Sequence, residues 1–218
     1  MKHKFENAVS EQIYQYLINM ILSLEMRPGD KIPEASIAQK FNISRTPIRE
    51  ALRDLAKDGI INTYPNRFSE VAVYDEDRVK EVGLVKICLD RMSVKLAAYY
   101  GSRAEYEKLC ECAEKCYEAA RRKDVLNRIK ADSDYHWELC KIGKNRSLMQ
   151  MEKSLLIQIE YLQAANYLQA EDSEVQYRAH MKIVEALKSG DVELGLKEIT
   201  EPALEFYNLK KLPVMFYQ

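Results

Sequence analysis

The chain has 218 residues, 47% of them hydrophobic, and a formal net charge of −1 at pH 7. This length allows one or two domains with a buried core, and only seven Gly and six Pro favour long helices joined by short connections. No apolar run is long enough to cross a membrane, and the charged opening residues 1–7 exclude a signal peptide. We therefore expect a cytoplasmic protein.

The first third of the chain carries the signals of several short elements in succession. Amphipathic spacing predicts helices over 8–24 and 34–41, separated by an extended Lys-Ile-Pro segment. A third helix is predicted after the Asn-Ile-Ser turn at 42–44. Thr46 offers a hydroxyl cap there, and Pro47 suits the first helical position because its missing N–H costs nothing.

The third helix carries arginines on one side. Arg45, Arg49 and Arg53 recur every four residues, away from the apolar face of Ile48 and Leu52. Two short helices around a tight polar turn, the second opening with exposed arginines, are typical of a helix-turn-helix that presents a recognition helix to the DNA major groove. This pattern alone is a weak indication, because any pair of short amphipathic helices resembles it.

Two alternating runs after this helix predict a β-hairpin. Residues 59–64 and 69–74 alternate apolar and polar side chains on either side of a turn at 65–68. A hairpin that follows a helix-turn-helix is the wing of a winged helix, with Arg67 at its tip. We therefore expect a winged helix-turn-helix domain over residues 1–74.

Strand signals disappear beyond Tyr74, and helical periodicity continues to the end of the chain. Capping residues and glycines predict six helices, which form an all-α helical bundle over residues 75–218. The expected fold is therefore mostly α, with a winged helix followed by a bundle. The six predicted helices span 75–99, 103–122, 124–142, 146–169, 173–189 and 192–209.

The first domain resembles the DNA-binding domain of the GntR family of bacterial transcription regulators. Three motifs carry the resemblance: Arg-Pro-Gly-Asp-Lys-Ile-Pro-Glu (27–34), Ser-Arg-Thr-Pro-Ile-Arg-Glu-Ala-Leu (44–52) and Leu-Ala-Lys-Asp-Gly-Ile-Ile (55–61). The wing departs from the family pattern, because Phe68 stands where a glycine is usual. The resemblance implies double-stranded operator DNA as a partner, and the residues expected to contact it are Glu34, Ser44, Arg45, Thr46, Arg49, Arg53 and Arg67.

The charge of this domain predicts how it binds DNA. Ten Lys and Arg against nine Asp and Glu leave residues 1–74 with a net charge of +1, and basic side chains concentrate between residues 40 and 53. A local patch of this size contacts few phosphates, so the affinity of one protomer should be modest and sensitive to salt. This favours a homodimer that binds an inverted-repeat operator.

The second domain contains a carboxylate and an imidazole at helical spacing. Asp132 and His136, four residues apart on one helix face, can bind the same cation, although a surface ion pair is the simpler interpretation. The motifs around them and around His180 resemble the FCD effector domain of the FadR subfamily. This resemblance implies that Asp132, His136 and His180 bind a divalent metal (Zn, Ni or Mn) and leave positions for water or the carboxylate of a small effector.

Two positions depart from the pattern of this subfamily. The fourth ligand position falls on Pro202, which cannot bind a metal, and Glu198, Glu201 or Glu205 could replace it. Where the subfamily has an Arg that faces the effector, this chain has Lys86, a point charge without the planar fork of a guanidinium. We expect Lys86 to bind the effector carboxylate, and a solvated helix charge is the alternative.

Five cysteines lie at positions 88, 110, 112, 116 and 140. The three in the middle fall inside an uninterrupted helical pattern and lack the Cys-x-x-Cys spacing of structural zinc sites. We expect reduced thiols that pack as small apolar residues. A redox sensor built from Cys110, Cys112 and Cys116 is the alternative.

Together these features predict a dimeric repressor whose operator affinity is controlled by a small organic acid. Two other classes of protein stay open at this point. A constitutive DNA-binding protein would have a bundle that responds to no effector. A metal-dependent hydrolase would place Asp132, His136 and His180 around an activated water, but it lacks a separate general base and leaves the arginine-bearing helix without a role.

Overall fold

The computed structural model of the protein describes residues 8–166, 173–211 and 213. Contacts along the chain separate two units, Met1–Tyr74 and Asp75–Gln218. The described residues contain nine α-helices and two short β-strands. The expectation of a mostly helical chain with a small hairpin near its N-terminal end is therefore confirmed.

The first unit is a winged helix, as predicted. Ile13, Leu17 and Ile21 of its first helix are fully buried, as are Ile48 and Leu55 of its third helix. The spacing of three or four residues explains this core, because it brings the apolar side chains of each helix onto one face. The elements of the unit are α1 (Ala8–Leu22), α2 (Glu34–Phe41), α3 (Arg45–Lys57), β1 (Ile61–Tyr64) and β2 (Phe68–Val71).

The helix α3 begins before its predicted start. Ser44 is the N-terminal cap, with extended backbone dihedrals (φ −70°, ψ 168°), and Arg45 is the first helical residue. The prediction that Thr46 caps this helix is therefore wrong. Pro47 still lies within the first turn, where its missing N–H removes no intrahelical hydrogen bond.

The wing is shorter than predicted and closes without a glycine. The strands β1 and β2 pair antiparallel from Ile61↔Val71 to Tyr64↔Phe68. Asn66 adopts the left-handed conformation (φ 58°) in the turn, and Asn tolerates this conformation better than most residues. Phe68 is therefore free to pair in the strand, at the position where the family pattern has Gly.

The extended segment predicted before α2 joins the wing. Ile32 donates its backbone N–H to the carbonyl oxygen of Ser69 at 2.8 Å. The ammonium of Lys31 lies 4.2 Å from the centroid of the Phe68 ring, at a distance suited to a cation–π contact. Residues 31 and 32 thus lie beside the hairpin as a third extended segment. Their contacts hold the hairpin within the first unit.

The second unit consists of six helices in the predicted order. Within the described residues they begin and end within a turn of the predicted positions, whereas the predicted end of the fourth of them, residue 169, lies outside the described residues. Asp75, Ser102 and Asp191 each accept a hydrogen bond from a backbone N–H of the first turn, which explains where those helices begin. The helices are α4 (Glu76–Tyr100), α5 (Arg103–Arg121), α6 (Val125–Ile142), α7 (Arg146–Asn166), α8 (Ser173–Ser189) and α9 (Val192–Phe206).

One hydrophobic cluster connects five of these helices. It includes Val94 of α4, Leu109 of α5, Leu139 of α6, Ile183 of α8 and Leu196 of α9, all of them buried. The helix α7 packs against α4 and α6. None of the described helices has both the length and the apolar character that a bilayer-spanning segment needs.

Candidate functional site

The helix α3 separates a buried apolar face from an exposed basic one. Ile48 and Leu55 are buried, whereas Arg45, Arg49 and Arg53 are exposed. The Arg53 Nε donates to the carbonyl oxygen of Arg49 at 3.4 Å, which directs its guanidinium along the helix. The three arginines, the arginine face hereafter, form the continuous stripe that their spacing predicts.

Two hydrogen bonds anchor α3 to α1. Ser10 Oγ donates to Glu50 Oε2, and Tyr14 Oη donates to Asp58 Oδ2 at 2.6 Å. Glu50 and Asp58 lie close in sequence to the arginines, but their carboxylates accept hydrogen bonds from α1. Because α3 is held at two points along its length, the arginine face is presented on a fixed support.

Other residues expected at DNA lie around the same helix. Ser44 and Thr46 are exposed at its N-terminal end, and the Ser44 hydroxyl makes no capping hydrogen bond in the described structure. Unpaired N–H groups at a helix N-terminus bind phosphate, so both hydroxyls lie where a phosphate would be held. Arg67 is exposed at the tip of the wing, and Glu34 is half-buried at the start of α2.

The second unit contains a cavity of about 1190 Å³, lined by α4, α6, α7, α8 and α9. A cavity of this size is large enough to enclose a small organic molecule. Its wall includes Lys86, Asp132, His136 and His180, together with Pro202. The helices therefore bring all the residues expected at the effector and metal sites to one cavity.

Asp132 is buried and surrounded by donors. Gln163 Nε2 donates to its Oδ2 at 2.5 Å, and Gln176 Nε2 donates to its Oδ1 at 2.7 Å. Burial opposes ionisation, but the imidazoles of His136 and His180 and the hydrogen bond from Gln163 outweigh it and lower the pKa of Asp132. The carboxylate is therefore negatively charged near neutral pH.

His180 is held as a neutral imidazole beside this carboxylate. Its Nε2 lies 3.4 Å from Asp132 Oδ1, and burial lowers its pKa to about 4. Its ring stacks on Tyr135 with a centroid distance of 3.9 Å, and the Tyr135 hydroxyl donates to the His180 carbonyl oxygen at 3.0 Å. The Nδ1 atom is buried and has no hydrogen-bond partner among the described residues. A neutral, oriented imidazole is the form that binds metals.

His136 contacts a carboxylate of α4 through one of its two ring nitrogens. Its Nδ1 lies 3.1 Å from Asp90 Oδ1, and its ring centroid lies 5.9 Å from that of His180. Burial lowers the pKa of His136, but the charge of Asp90 and its hydrogen bond outweigh this effect, and the net shift is upward. Asp90 is therefore the hydrogen-bond partner of His136 Nδ1.

A cysteine lies close to Asp132 and His180. Within the described part of the chain, one group of three side chains has metal-binding atoms within 4.8 Å of one another, and its members are Cys116, Asp132 and His180. Cys116 is buried and unpaired, as expected of a packed thiol. No local pattern in the sequence indicates this proximity, because Cys116 belongs to α5 and meets the other two residues through helix packing.

Lys86 is buried rather than solvated, so the alternative of a solvated helix charge is wrong. Its ammonium pairs with Asp90 and lies 2.8 Å from Glu152 Oε1. Burial lowers the pKa of Lys86, but these two carboxylates outweigh it and raise the pKa well above the ordinary value. Burial also raises the pKa of Glu152. The positive charge of Lys86 is thus neutralised inside the bundle.

The carboxylates that could replace a ligand at Pro202 already have partners. Glu198 Oε1 lies 3.2 Å from Lys182 Nζ, and Glu205 Oε1 lies 3.2 Å from Lys210 Nζ. Glu201 is a weaker case, with its Oε1 3.9 Å from the ammonium of a lysine one turn earlier. These ion pairs on α9 make Glu198 and Glu205 poorer ligands than a free carboxylate.

Comparison with known proteins agrees with this architecture. Residues 9–69 match the family described as "Bacterial regulatory proteins, gntR family", and residues 84–201 match the FCD domain. An uncharacterized HTH-type transcriptional regulator of Bacillus subtilis, YdhC, is 29% identical over 86% of this chain and 84% of its own length. The HTH-type transcriptional repressor RspR of Escherichia coli is 23% identical over 88% of this chain and 85% of its own length.

Solved structures of the same fold cover nearly the whole chain. Escherichia coli McbR/YncC superposes with a TM-score of 0.75 at 19% identity, over 93% of this chain and 98% of that one. A putative GntR transcriptional regulator from Rhodococcus sp. RHA1 also gives a TM-score of 0.75, at 17% identity, over 93% and 97% of the two chains. Identities this low show the fold alone.

The matched domains exclude one of the classes of protein that the sequence left open. The FCD domain covers more than half of the chain, and the relatives are transcription regulators rather than enzymes. The interpretation as a metal-dependent hydrolase is therefore wrong. The arginine face and the helical bundle with its polar cavity lie in the two matched segments. The chain belongs to the GntR family of bacterial transcription regulators, in the FadR subfamily with an FCD domain.

Proposed function

We propose that this chain represses transcription as a homodimer. Residues 1–74 would bind an inverted-repeat operator, and residues 75–218 would dimerise and bind a small organic acid that changes the affinity for that operator. The cavity of the second unit is the observation that carries the proposal, because Asp132, His136 and His180 all line it. Relatives named as repressors support repression rather than activation.

The arginine face supports the DNA-binding part of the proposal. Arg45 and Arg49 lie one turn apart at the N-terminal end of α3, the end that contacts base edges in helix-turn-helix proteins. Arg53 lies a turn further along and suits a phosphate, as does Arg67 on the wing. So few basic contacts give one protomer a modest affinity, and two protomers on two half-sites would bind more tightly.

The cavity residues fit a divalent metal. Asp132 Oδ1 and the Nε2 of neutral His180 lie 3.4 Å apart and offer an oxygen and a nitrogen donor in one buried place. Asp132 and His180 would hold the ion, and His136, whose Nδ1 lies against Asp90, would offer its Nε2. When bound, the metal would supply a positive charge and open positions for an effector carboxylate.

Lys86 would influence effector binding indirectly, by holding another residue in position. Its charge is shared by Asp90 and Glu152, so a third carboxylate would have to compete with both. We therefore assign Lys86 a positioning role: it holds Asp90, which in turn accepts or shares the proton of His136 Nδ1. This replaces the expectation that Lys86 binds the effector directly.

An exposed stripe on α4 supports the homodimer. Val85, Met92 and Tyr99 are 52%, 46% and 80% exposed, and they recur every seven residues with the exposed Cys88 between them. Apolar side chains at this spacing form one seam along a helix, which packs well against the same seam of a second copy. We call these four residues the α4 seam and propose that it lies in the dimer interface.

Operator release tests the effector proposal. The full chain would be used to select bound DNA from fragments of the source genome, and operator affinity would then be measured by fluorescence anisotropy at constant salt. Small carboxylic acids would be added with and without Zn, Ni or Mn. The expected result is an acid that weakens operator binding at least tenfold, a change of about 1.4 kcal/mol.

Two variants locate the response. His180→Ala and Asp132→Asn should keep the basal operator affinity, because neither residue lies in the DNA-binding unit, and should lose the response to the acid. An unchanged response in both would place the effector elsewhere. A metal-free wild type that also releases DNA normally would remove the metal from the proposal. Release by none of the acids would favour a constitutive DNA-binding protein with an unresponsive bundle.

A further inference from the structure

We propose that Cys116 is a ligand of the divalent metal, so that the second unit holds a mixed Cys116–Asp132–His180 site that favours zinc over harder ions. The inference rests on the metal binding proposed above and names its third ligand. These three side chains come from α5, α6 and α8, and each is at most 5% exposed. Their binding atoms lie within 4.8 Å of one another.

The separation of Asp132 and His180 matches a shared ion. Their Oδ1 and Nε2 atoms are 3.4 Å apart. Two ligands bound to a tetrahedral zinc ion, at bond lengths of roughly 2.0–2.1 Å, lie about 3.4 Å from each other. A thiolate at roughly 2.3 Å would lie about 3.6 Å from the nitrogen, so from a separation within 4.8 Å Cys116 would have to approach the pair by about 1.2 Å at most. A side-chain rotation provides such a movement.

The present contacts of Cys116 do not compete with a metal. Its Sγ lies 3.7 Å from the carbonyl oxygen of Arg128 and 3.8 Å from Gln176 Oε1. Sulfur makes weak hydrogen bonds, so little is lost when the thiol gives them up. A thiol that served only as a small apolar residue would gain nothing from lying beside a carboxylate and an imidazole.

Two glutamines hold Asp132 in position. Gln163 and Gln176 each donate an amide N–H to one of its oxygens, and the Gln176 Oε1 accepts from Arg128 Nη1 at 2.9 Å. Partners of this kind orient ligands and are a regular part of metal sites. Gln176 thereby touches both Asp132 and Cys116, which ties the orientation of the two ligands together.

Charge favours the same assignment. On binding, the Cys116 thiol would release its proton to solvent, and the resulting thiolate together with Asp132 would carry two negative charges. These balance the two positive charges of the ion, which matters because an unbalanced charge is costly in a buried site. Three protein ligands leave one tetrahedral position for water or an effector oxygen. Thiolate ligands prefer zinc to manganese or magnesium.

Cobalt substitution tests the sulfur ligand directly. The metal-free full chain would be titrated with Co²⁺ and Zn²⁺, and the near-ultraviolet sulfur-to-cobalt charge-transfer absorption would be recorded. The wild type and Cys112→Ser, a matched change on the same helix outside the group, should show this absorption. Cys116→Ser should lose it, and its zinc affinity should fall more than about 100-fold, since loss of an outer partner alone costs about 10- to 100-fold.

The outcomes separate this inference from the proposed function. Stoichiometric cobalt binding that needs Asp132 and His180 but shows no sulfur absorption would overturn the role of Cys116 and leave the metal in place. No metal binding by the wild type would overturn both. If Cys116→Ser fails to fold, X-ray absorption at the zinc edge of the wild type decides, because one sulfur at about 2.3 Å is expected and a shell of nitrogen and oxygen alone contradicts it.

Discussion

The Lys86 ammonium lies 2.8 Å from Glu152 Oε1, and both side chains are almost completely buried between α4 and α7. Asp90, one turn after Lys86, pairs with the same ammonium. One cation therefore pairs with two carboxylates inside the bundle, and one of them, Asp90, also contacts His136 in the cavity wall. Lys86, which was expected to bind the effector carboxylate, is therefore already paired with two carboxylates of the protein.

Removing this cation should destabilise the second unit. We expect Lys86→Met to lower the free energy of unfolding by about 3–5 kcal/mol, because two buried carboxylates lose their partner. Chemical denaturation followed by circular dichroism measures this change. Lys80→Met on the same helix removes a solvated pair with Glu76 and should have little effect on stability.

A double variant checks the cause of this loss. Lys86→Met combined with Glu152→Gln removes a charge that the first change leaves unpaired, so part of the lost stability should return. If the double variant is no more stable than Lys86→Met, the ion pair is not the source of the effect.

The arginine face should determine operator affinity. We expect Arg49→Ala to weaken operator binding by about 1–3 kcal/mol and to relax the choice of one base pair, if the guanidinium binds guanine in a bidentate manner. Arg53→Ala should weaken operator binding less. It should also leave the base preference unchanged, because a phosphate contact carries no sequence information. Arg103→Ala, an exposed arginine at the start of α5, is the matched control. Operator affinity that survives the Arg45→Ala/Arg49→Ala change would refute the recognition-helix assignment.

The α4 seam should determine the oligomeric state. We expect Met92→Glu to shift the protein from dimer to monomer, because it places two like charges opposite each other in a symmetric apolar interface. Analytical ultracentrifugation measures the shift, and operator affinity should fall with it. Ala104→Glu adds the same charge at an exposed position of α5 and should leave the dimer intact. A dimer that persists in Met92→Glu places the interface elsewhere.

The capping box of α5 should make a stability contribution that depends on pH. Ser102 Oγ and its backbone N–H donate to Glu105 Oε2 at 2.7 and 2.8 Å, and these hydrogen bonds lower the pKa of Glu105 below its ordinary value of 4.5. Ser102→Ala should lower the free energy of unfolding by about 1 kcal/mol at pH 7. Ser154→Ala, an exposed serine inside α7, should have almost no effect.

The sign of the pH effect follows from the direction of the pKa shift. A carboxyl whose pKa is lowered by folding stabilises the folded state above its unfolded pKa, and this contribution disappears as the pH falls through the folded pKa. The difference in the free energy of unfolding between the wild type and Ser102→Ala should therefore have its full size above about pH 4.5. It should shrink in more acidic solution. A difference that grows towards low pH would contradict the role of Glu105.

Local patterns in the sequence determined most of the fold. Periodicity and capping residues predict the helices, because a helix begins and closes its hydrogen bonds within a few residues of the side chains that signal it. The winged helix and its arginine face follow from the same kind of signal. The predicted start of α3 lies two residues too late, because Ser and Thr are both favoured at the N-terminal cap. The backbone dihedrals show that Ser44, and not Thr46, occupies the cap position.

Tertiary structure alone decided which polar groups meet inside the bundle. Lys86 and Glu152 are 66 residues apart, and His136 and Asp90 are 46 apart. Cys116 reaches Asp132 and His180 from a third helix. No local spacing specifies such pairs, because the rotation of each packed helix sets the direction in which its side chains point. The sequence thus determined that the bundle contains metal-binding and charged residues, and helix packing determined which of them share a site.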